Sequence, residues 1–203
     1  MKYPKLRELR EAIKALIKGP YTSRFPYEPH TPFERFRGKP EFSQDDCMGC
    51  SACTQVCPTG AVSYEDQTKS GRSKRILTLR WDVCIYCGQC QANCPTEKGI
   101  RLTQEFDLAT CGKREDLKQV IEKEFAHCDC CGEPIVPKDQ LGWVANRLGP
   151  LCFANSSLLV FYLRSLGLAL KEKFLPKDKE IAGRASRIQV ICPSCRREAV
   201  LKS

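Results

Sequence analysis

Apolar residues recur at helical spacing near the start of the chain, where Leu6, Leu9, Ile13, Leu16 and Ile17 share one face and Lys5, Arg7, Arg10, Lys14 and Lys18 occupy the remainder. The pattern predicts a short basic amphipathic helix ended by Gly19-Pro20. Such a helix can lie in a membrane interface or dock its stripe on a protein. Residues 20–40 then lose periodicity: Pro20, Pro26, Pro29, Pro32 and Pro40 alternate with Tyr21, Phe25, Tyr27, Phe33 and Phe36. Proline at this density excludes a regular helix or a central strand. The aromatics make the stretch too apolar for a flexible linker, so it reads as an extended arm lying on another surface. His30, alone in that arm, is given no role.

Period-two alternation appears next. Leu77, Leu79 and Trp81 alternate with Thr78 and Arg80, which predicts a half-buried strand over Arg75–Trp81, paired with one beginning around Thr59–Val62 across a polar tip. Ile100-Arg101-Leu102 reads as the matching strand of a second half. From Lys113 to Phe125 the apolar positions Leu117, Val120, Ile121 and Phe125 fall at helical intervals, and a charged connecting helix is predicted there. A further apolar block runs from Leu151 to Leu170. Asn155, Ser156, Ser157, Arg164 and Ser165 interrupt it, so it predicts a helix buried in its own module or against a partner rather than a membrane span.

The cysteines change this picture most. Cys47-x2-Cys50-x2-Cys53-x3-Cys57-Pro58 is repeated as Cys84-x2-Cys87-x2-Cys90-x3-Cys94-Pro95. This is the bacterial two-cluster ferredoxin run, in which three closely spaced thiolates wrap one [4Fe-4S] centre while the fourth ligates the other. Cys47, Cys50, Cys53 and Cys94 are therefore expected to hold one cluster, and Cys84, Cys87, Cys90 and Cys57 the second. Crossed ligation makes the centres near neighbours, which suits electron relay.

A second pattern pairs Cys128-x2-Cys131-Gly132 with Cys192-Pro193-x-Cys195, the shape of a zinc ribbon or rubredoxin-like site. Two tight turns facing each other close a tetrahedral tetrathiolate, for which zinc is expected and a single iron is the alternative. His127 and Cys130 lie close enough in sequence to replace a named ligand. Cys111, Cys130 and Cys152 read as plain thiols, Cys111 as a buried one.

With 15 cysteines in 203 residues and no signal-peptide pattern, a reducing compartment is expected. The formal charge of +9 is unusual for a carrier of anionic clusters and points to an anchored subunit. A free ferredoxin and a cluster-bearing nucleic-acid-binding protein compete with that reading. The N-terminal arm and the C-terminal module argue against the first, and the lack of a basic stripe with interleaved aromatics outside the arm argues against the second.

Phe36-Arg37-Gly38-Lys39-Pro40-Glu41, Cys84-Ile85-Tyr86-Cys87-Gly88 and Glu105-Phe106-Asp107-Leu108-Ala109, together with the separated terminal cysteine pairs, resemble the two-cluster ferredoxin subunit of membrane-bound group 4 [NiFe] hydrogenases of the formate hydrogenlyase type. That subunit is itself related to the two-cluster subunit of complex I. The resemblance implies an iron–sulfur electron-transfer subunit without a catalytic centre, placed peripherally at the cytoplasmic face of the cell membrane. It implies as partners the hydrogenase small and large subunits, membrane-arm subunits and an upstream iron–sulfur donor subunit or ferredoxin. An equivalent place in a complex I-type NADH or ferredoxin:quinone oxidoreductase is the alternative. Peripheral membrane contact through Leu6 to Ile17 is expected, and nucleic acid is not. The fold expected is α+β: a helix and docking arm over residues 1–40, a two-[4Fe-4S] ferredoxin domain over 41–110, the connecting helix over 111–127, and a zinc-ribbon or rubredoxin-like module with a helical insertion over 128–203.

Overall fold

The computed structural model describes residues 5–19, 22–68, 73–169 and 189–201. Packing divides the chain into two units, Met1–Phe36 and Arg37–Ser203. In the first, helix α1 spans Leu6–Lys18. It starts where the Glu8 carboxylate accepts the Lys5 N–H at 3.1 Å, and it ends where the Gly19 N–H donates to the Ala15 carbonyl at a φ of 76°. None of its residues is buried, and the apolar stripe is open, with Leu6, Leu16 and Ile17 each more than three quarters exposed.

In the second unit the described strands form two sheets. Strands β1 (Pro40–Phe42) and β4 (Ile100–Leu102) pair antiparallel, Phe42 opposite Ile100. The larger sheet runs β2-β3-β5-β6, antiparallel throughout, with β2 at Val62–Gln67, β3 at Lys74–Arg80, β5 at Lys118–His127 and β6 at Pro134–Pro137. Strand β3 sits between β2 and β5, so Leu77 faces Tyr64 on one side and Ile121 on the other. The alternation read from the sequence is seen here, since Leu77 and Leu79 are fully buried while Arg80 is exposed. They pack with Phe42, Val62, Ile100 and Ile121, and the cluster-type cysteines Cys47, Cys53, Cys57, Cys90 and Cys94 belong to the same core. The Gln119 side chain joins the sheets, bonding both the N–H and the carbonyl of Phe42. Replacing Leu77 with alanine is expected to cost about 2–5 kcal/mol, because a fully enclosed site collapses poorly around the lost methyls. Urea unfolding monitored together with cluster absorbance would show both transitions moving to lower denaturant.

The connecting helix expected over 113–125 is not formed. A short 3-10 turn over Arg114–Asp116 leads directly into β5. Leu117, Val120, Ile121 and Phe125 fit a helical stripe, but Ile121, Lys123 and Phe125 fit a strand as well, and these are the residues that are buried. Val120, which a helical face would bury, is 45% exposed. The open edge of β3 decides between the two periods, because it offers β5 a full ladder of backbone partners.

Beyond β6 the chain forms α4 (Lys138–Leu148), a 3-10 stretch over Gly149–Ala154 and α5 (Ser156–Ser165), which pack on one another through Ala145, Cys152 and Leu158. Asn155 caps α5 by accepting the N–H groups of Ser157 and Leu158. The apolar block is thus two helical segments rather than one helix, and Leu151, Phe153 and Leu168 remain exposed. Among the described residues no helix is long and apolar enough to cross a membrane. The last residue of that block, Leu170, and the chain from 171 to 188 lie outside the described residues, as does part of the β2–β3 tip. Helix α6 follows at Pro193–Leu201.

Candidate cluster and metal sites

Each cysteine run wraps one short helix, α2 (Ala52–Gln55) and α3 (Gln89–Ala92), and bends the same way before it. Gly49 and Tyr86 hold positive φ values of 73° and 54°, and Ser51 and Gly88 hold 64° and 78°. The repeated left-handed turns aim the backbone and the thiols of Cys47, Cys50 and Cys53, and of Cys84, Cys87 and Cys90, towards one point per run.

Two cavities result. The first is lined by Cys47, Cys50, Cys53 and Cys94, with Phe42, Met48, Leu77 and Ile100 as its apolar wall. The second is lined by Cys57, Cys84, Cys87 and Cys90, with Val62, Leu79, Ile85 and Leu102 around them. In each cavity the fourth cysteine comes from the opposite run.

Several observations fit these cavities to inorganic clusters. All of the cysteines are free thiols. Gly99 supplies room, since a Cβ there would meet the Cys94 sulfur at 3.2 Å and the Cys47 Cα at 3.1 Å. Ser51 lines the first cavity, and its hydroxyl is buried without a hydrogen-bond partner among the described residues. Burial pushes the Cys53 thiol up to about 12, with Cys47, Cys50 and Cys90 adding to it, and pushes Cys90 up to about 11, with Cys84 and Cys87 adding to it. So many thiols in apolar surroundings cannot ionise together in water's absence, which suits a site whose metal ions supply the compensating charge. Burial raises Cys47 and Cys84 as well, and the crossed partners Cys94 and Cys57 contribute to those shifts. Cys57 moves the other way: burial works against ionisation, but the N–H groups of Val62, Thr59 and Ala61 and the Thr59 hydroxyl outweigh it.

The C-terminal pairs also converge. Sulfurs of Cys128, Cys131, Cys192 and Cys195 lie within 4.8 Å of one another. Burial opposes ionisation of Cys128, yet N–H groups from Cys131, Cys192 and Cys130 draw it down to about 7, the Cys192 N–H lying 3.3 Å from the sulfur. Cys195 is pushed strongly upwards by burial and by its neighbouring thiols. Four sulfurs from two tight turns form a closed tetrathiolate donor set suited to zinc or iron. His127 is turned away to the Ser73 hydroxyl, and Cys130 is exposed and outside the group of four. Cys111 is exposed, contrary to the buried thiol expected, because its turn lies before β5 instead of under a helix; the buried lone thiol is Cys152.

The sequence reading missed the clamp on this site. Asp129 accepts two bonds from Arg164 of α5, at 2.8 and 3.0 Å, and the Val190 N–H at 2.9 Å, so one carboxylate ties both turns to the helical insertion. An aspartate between two cysteines could have flagged it, but its arginine partner lies 35 residues away.

Residues 46–98 match the family described as 4Fe-4S dicluster domain. Formate hydrogenlyase subunit 6 of Escherichia coli (strain K12) is 37% identical over 142 residues, covering 67% of this chain and 74% of that protein. The chloroplastic NAD(P)H-quinone oxidoreductase subunit I of Psilotum nudum is 41% identical over 106 residues, covering 51% of this chain and 64% of the relative. Among solved structures, a chain of the membrane-bound sulfane sulfur reductase, an archaeal respiratory membrane complex, shares 29% identity with a TM-score of 0.39, covering 58% of this chain and 62% of the other. The chain spans about three quarters of the first of these proteins and less than two thirds of the other two.

Proposed function

This chain belongs to the family of formate hydrogenlyase subunit 6, and from that membership we propose that it works as a peripheral relay at the cytoplasmic face of a membrane-bound hydrogenase complex. It is an iron–sulfur electron-transfer subunit, and its two [4Fe-4S] clusters supply the one-electron chemistry. Cys47, Cys50, Cys53 and Cys94 hold one cluster, and Cys84, Cys87, Cys90 and Cys57 hold the other. The observation that carries this reading is the pair of cavities, each lined by three cysteines of one run and the fourth of its neighbour. Because each run must reach both sites, the sites stay adjacent, and Cys90 of the second set is close enough to raise Cys53 of the first. Apolar walls of Phe42, Leu77 and Ile100, and of Val62, Leu79 and Leu102, keep water from the sulfurs.

The chain carries no catalytic centre in this reading. Electrons enter from an upstream iron–sulfur subunit or ferredoxin and leave to the hydrogenase small subunit, which serves the large subunit. Cys128, Cys131, Cys192 and Cys195 hold one zinc that closes a ribbon-like module around helices α4 and α5. The exposed stripe of α1, with Leu9 and Ile13 half exposed and lysines and arginines flanking it, rests on a membrane interface or a membrane-arm subunit.

A place in a complex I-type quinone oxidoreductase is the second reading, favoured by the 41% identity to the chloroplastic subunit I. Affinity isolation of the tagged chain from its own membranes separates the two. Hydrogenase subunits and hydrogen evolution in the isolate support the first reading, and quinone-reducing activity with NADH or ferredoxin supports the second. In the same preparation, Leu9→Glu with Ile13→Glu is expected to move most of the chain to the soluble fraction. Undiminished membrane fractionation of that double variant would remove α1 from the anchoring surface.

A further inference from the structure

The two cysteine runs repeat in backbone but not in electrostatics. At the residue immediately after the second cysteine, both runs adopt the left-handed conformation, and the first run places Ser51 where the second has Gly88. Glycine takes that conformation freely, whereas serine is strained in it. The strained serine lines the first cavity and is more than nine-tenths enclosed, and its hydroxyl is buried and lacks any partner among the described residues. A buried donor of that kind, on a residue that lines the cavity with four cysteines, is unsatisfied until something anionic accepts from it.

Charge is distributed with the same bias. Lys123 is buried, 4% exposed, and its aliphatic stem lies where a Cβ on Gly49 would meet it at 3.2 Å. Its ammonium bonds the Gln44 carbonyl and the Asp139 carboxylate. Arg75 stands directly across the β3–β5 ladder from Lys123 and donates to the Gly49 carbonyl at 2.9 Å. Like charges directly opposite in a sheet repel. Lys123 pairs with Asp139 at 2.8 Å, Arg75 with Asp66 through two bonds at 2.7 and 2.8 Å, and Asp45 and Asp46 stand at the same edge; these carboxylates are exposed, so water weakens their offset more than it weakens the field of the buried ammonium. At the matching place in the second run, Tyr86 replaces Gly49 and its hydroxyl donates to the Trp81 carbonyl; the cation on that run, Arg37, donates to the Cys87 carbonyl at 3.2 Å but is exposed, so water screens it as it does not screen the buried Lys123.

We infer that Ser51, Lys123 and Arg75 hold the centre of Cys47, Cys50, Cys53 and Cys94 at the higher reduction potential of the pair, so that an electron delivered to this chain settles there first. The inference rests on the cluster assignment above. Potentials of such centres are set by hydrogen bonds to sulfur, net charge and exposure, and a hydroxyl donor and two cations all stabilise the more negative, reduced state. Ser51, Lys123 and Arg75 are positioning residues here, acting on the potential without ligating iron.

Redox titration of the full chain, loaded with iron and sulfide and followed by electron paramagnetic resonance, reads the two midpoint potentials. Ser51→Gly gives the first run the residue of the second and relieves strain, so it folds at least as well as the parent. It is expected to lower the higher potential by about tenfold in the reduction equilibrium, the value of a hydrogen bond to a charged group, which is about 59 mV for one electron. Lys123→Met is expected to lower the same potential, and Lys123→Arg to preserve it. Gly88→Ser, whose new Cβ meets only the movable Leu102 side chain at 3.2 Å, should raise the lower potential. The gap between the midpoints narrows in Ser51→Gly, Lys123→Met and Gly88→Ser. An unchanged gap in Ser51→Gly and Lys123→Met, or movement of the lower potential instead, with both signals and the full iron content present, would overturn the inference and leave the cluster assignment standing. Absence of two signals in the parent chain would instead overturn the assignment itself.

Discussion

Serine in place of Cys94 is expected to cost this chain the centre nucleated by the first run, Cys47-x2-Cys50-x2-Cys53, although residue 94 lies in the second. The side chain of Cys94 lines the cavity of Cys47, Cys50 and Cys53, and those of Cys84, Cys87 and Cys90 line the other with Cys57. A serine hydroxyl is a hard and weakly acidic donor, poorly matched to the iron that thiolate holds. Iron should fall from about eight per chain towards four, with one of two paramagnetic signals lost or converted and the other kept. Cys57→Ser should do the reverse. If Cys94→Ser removed the signal of the Cys84, Cys87 and Cys90 centre instead, ligation would be parallel rather than crossed.

The second large effect is expected at the other end. Cys192→Ser should abolish binding of about one zinc per chain and melt the C-terminal module while both cluster signals survive. A structural tetrathiolate supplies folding free energy directly, on the order of 10 kcal/mol for zinc in small domains. Here the turn at Cys128 and the turn at Cys192 are otherwise held by polar contacts at the Asp129 carboxylate and the Ser157 hydroxyl and by a small core of Cys128, Ile191 and Cys192. That core shares no residue with the one around the cluster cysteines, so its loss need not spread. Metal analysis and hydrogen exchange would check this, with protection lost in β6, α5 and α6 and retained in β3. A ninth iron with a rubredoxin-like spectrum, and electron transfer that fails in Cys192→Ser, would make the site part of the relay.

The sequence by itself determined whatever depends on short intervals. Eight cysteines in two identical runs specify two centres, since thiolates two residues apart can wrap one metal assembly only in a narrow set of turns. The alternation of Leu77, Leu79 and Trp81 specified β3, because one face of that strand is buried and period two is the only way to bury it. The helix over Leu6–Lys18 was legible for the same reason, its stripe being unbroken over three turns.

Only the tertiary structure decided what depends on distant partners. Residues 118–127 satisfy helical and strand periods together, and the free edge of β3 settled the choice by offering backbone hydrogen bonds that a lone helix would not share. Two Cys-x-x-Cys pairs separated by some sixty residues are compatible with several pairings, and the fold brought those four sulfurs together while leaving Cys130 and His127 outside. The burial of Lys123, opposite Arg75 and against Gly49, leaves no trace in local composition, where it is one charge in an alternating strand. Burial and electrostatic neighbourhood are properties of packed surfaces rather than of intervals along a chain, so the centres could be read in the sequence and the asymmetry between them could not.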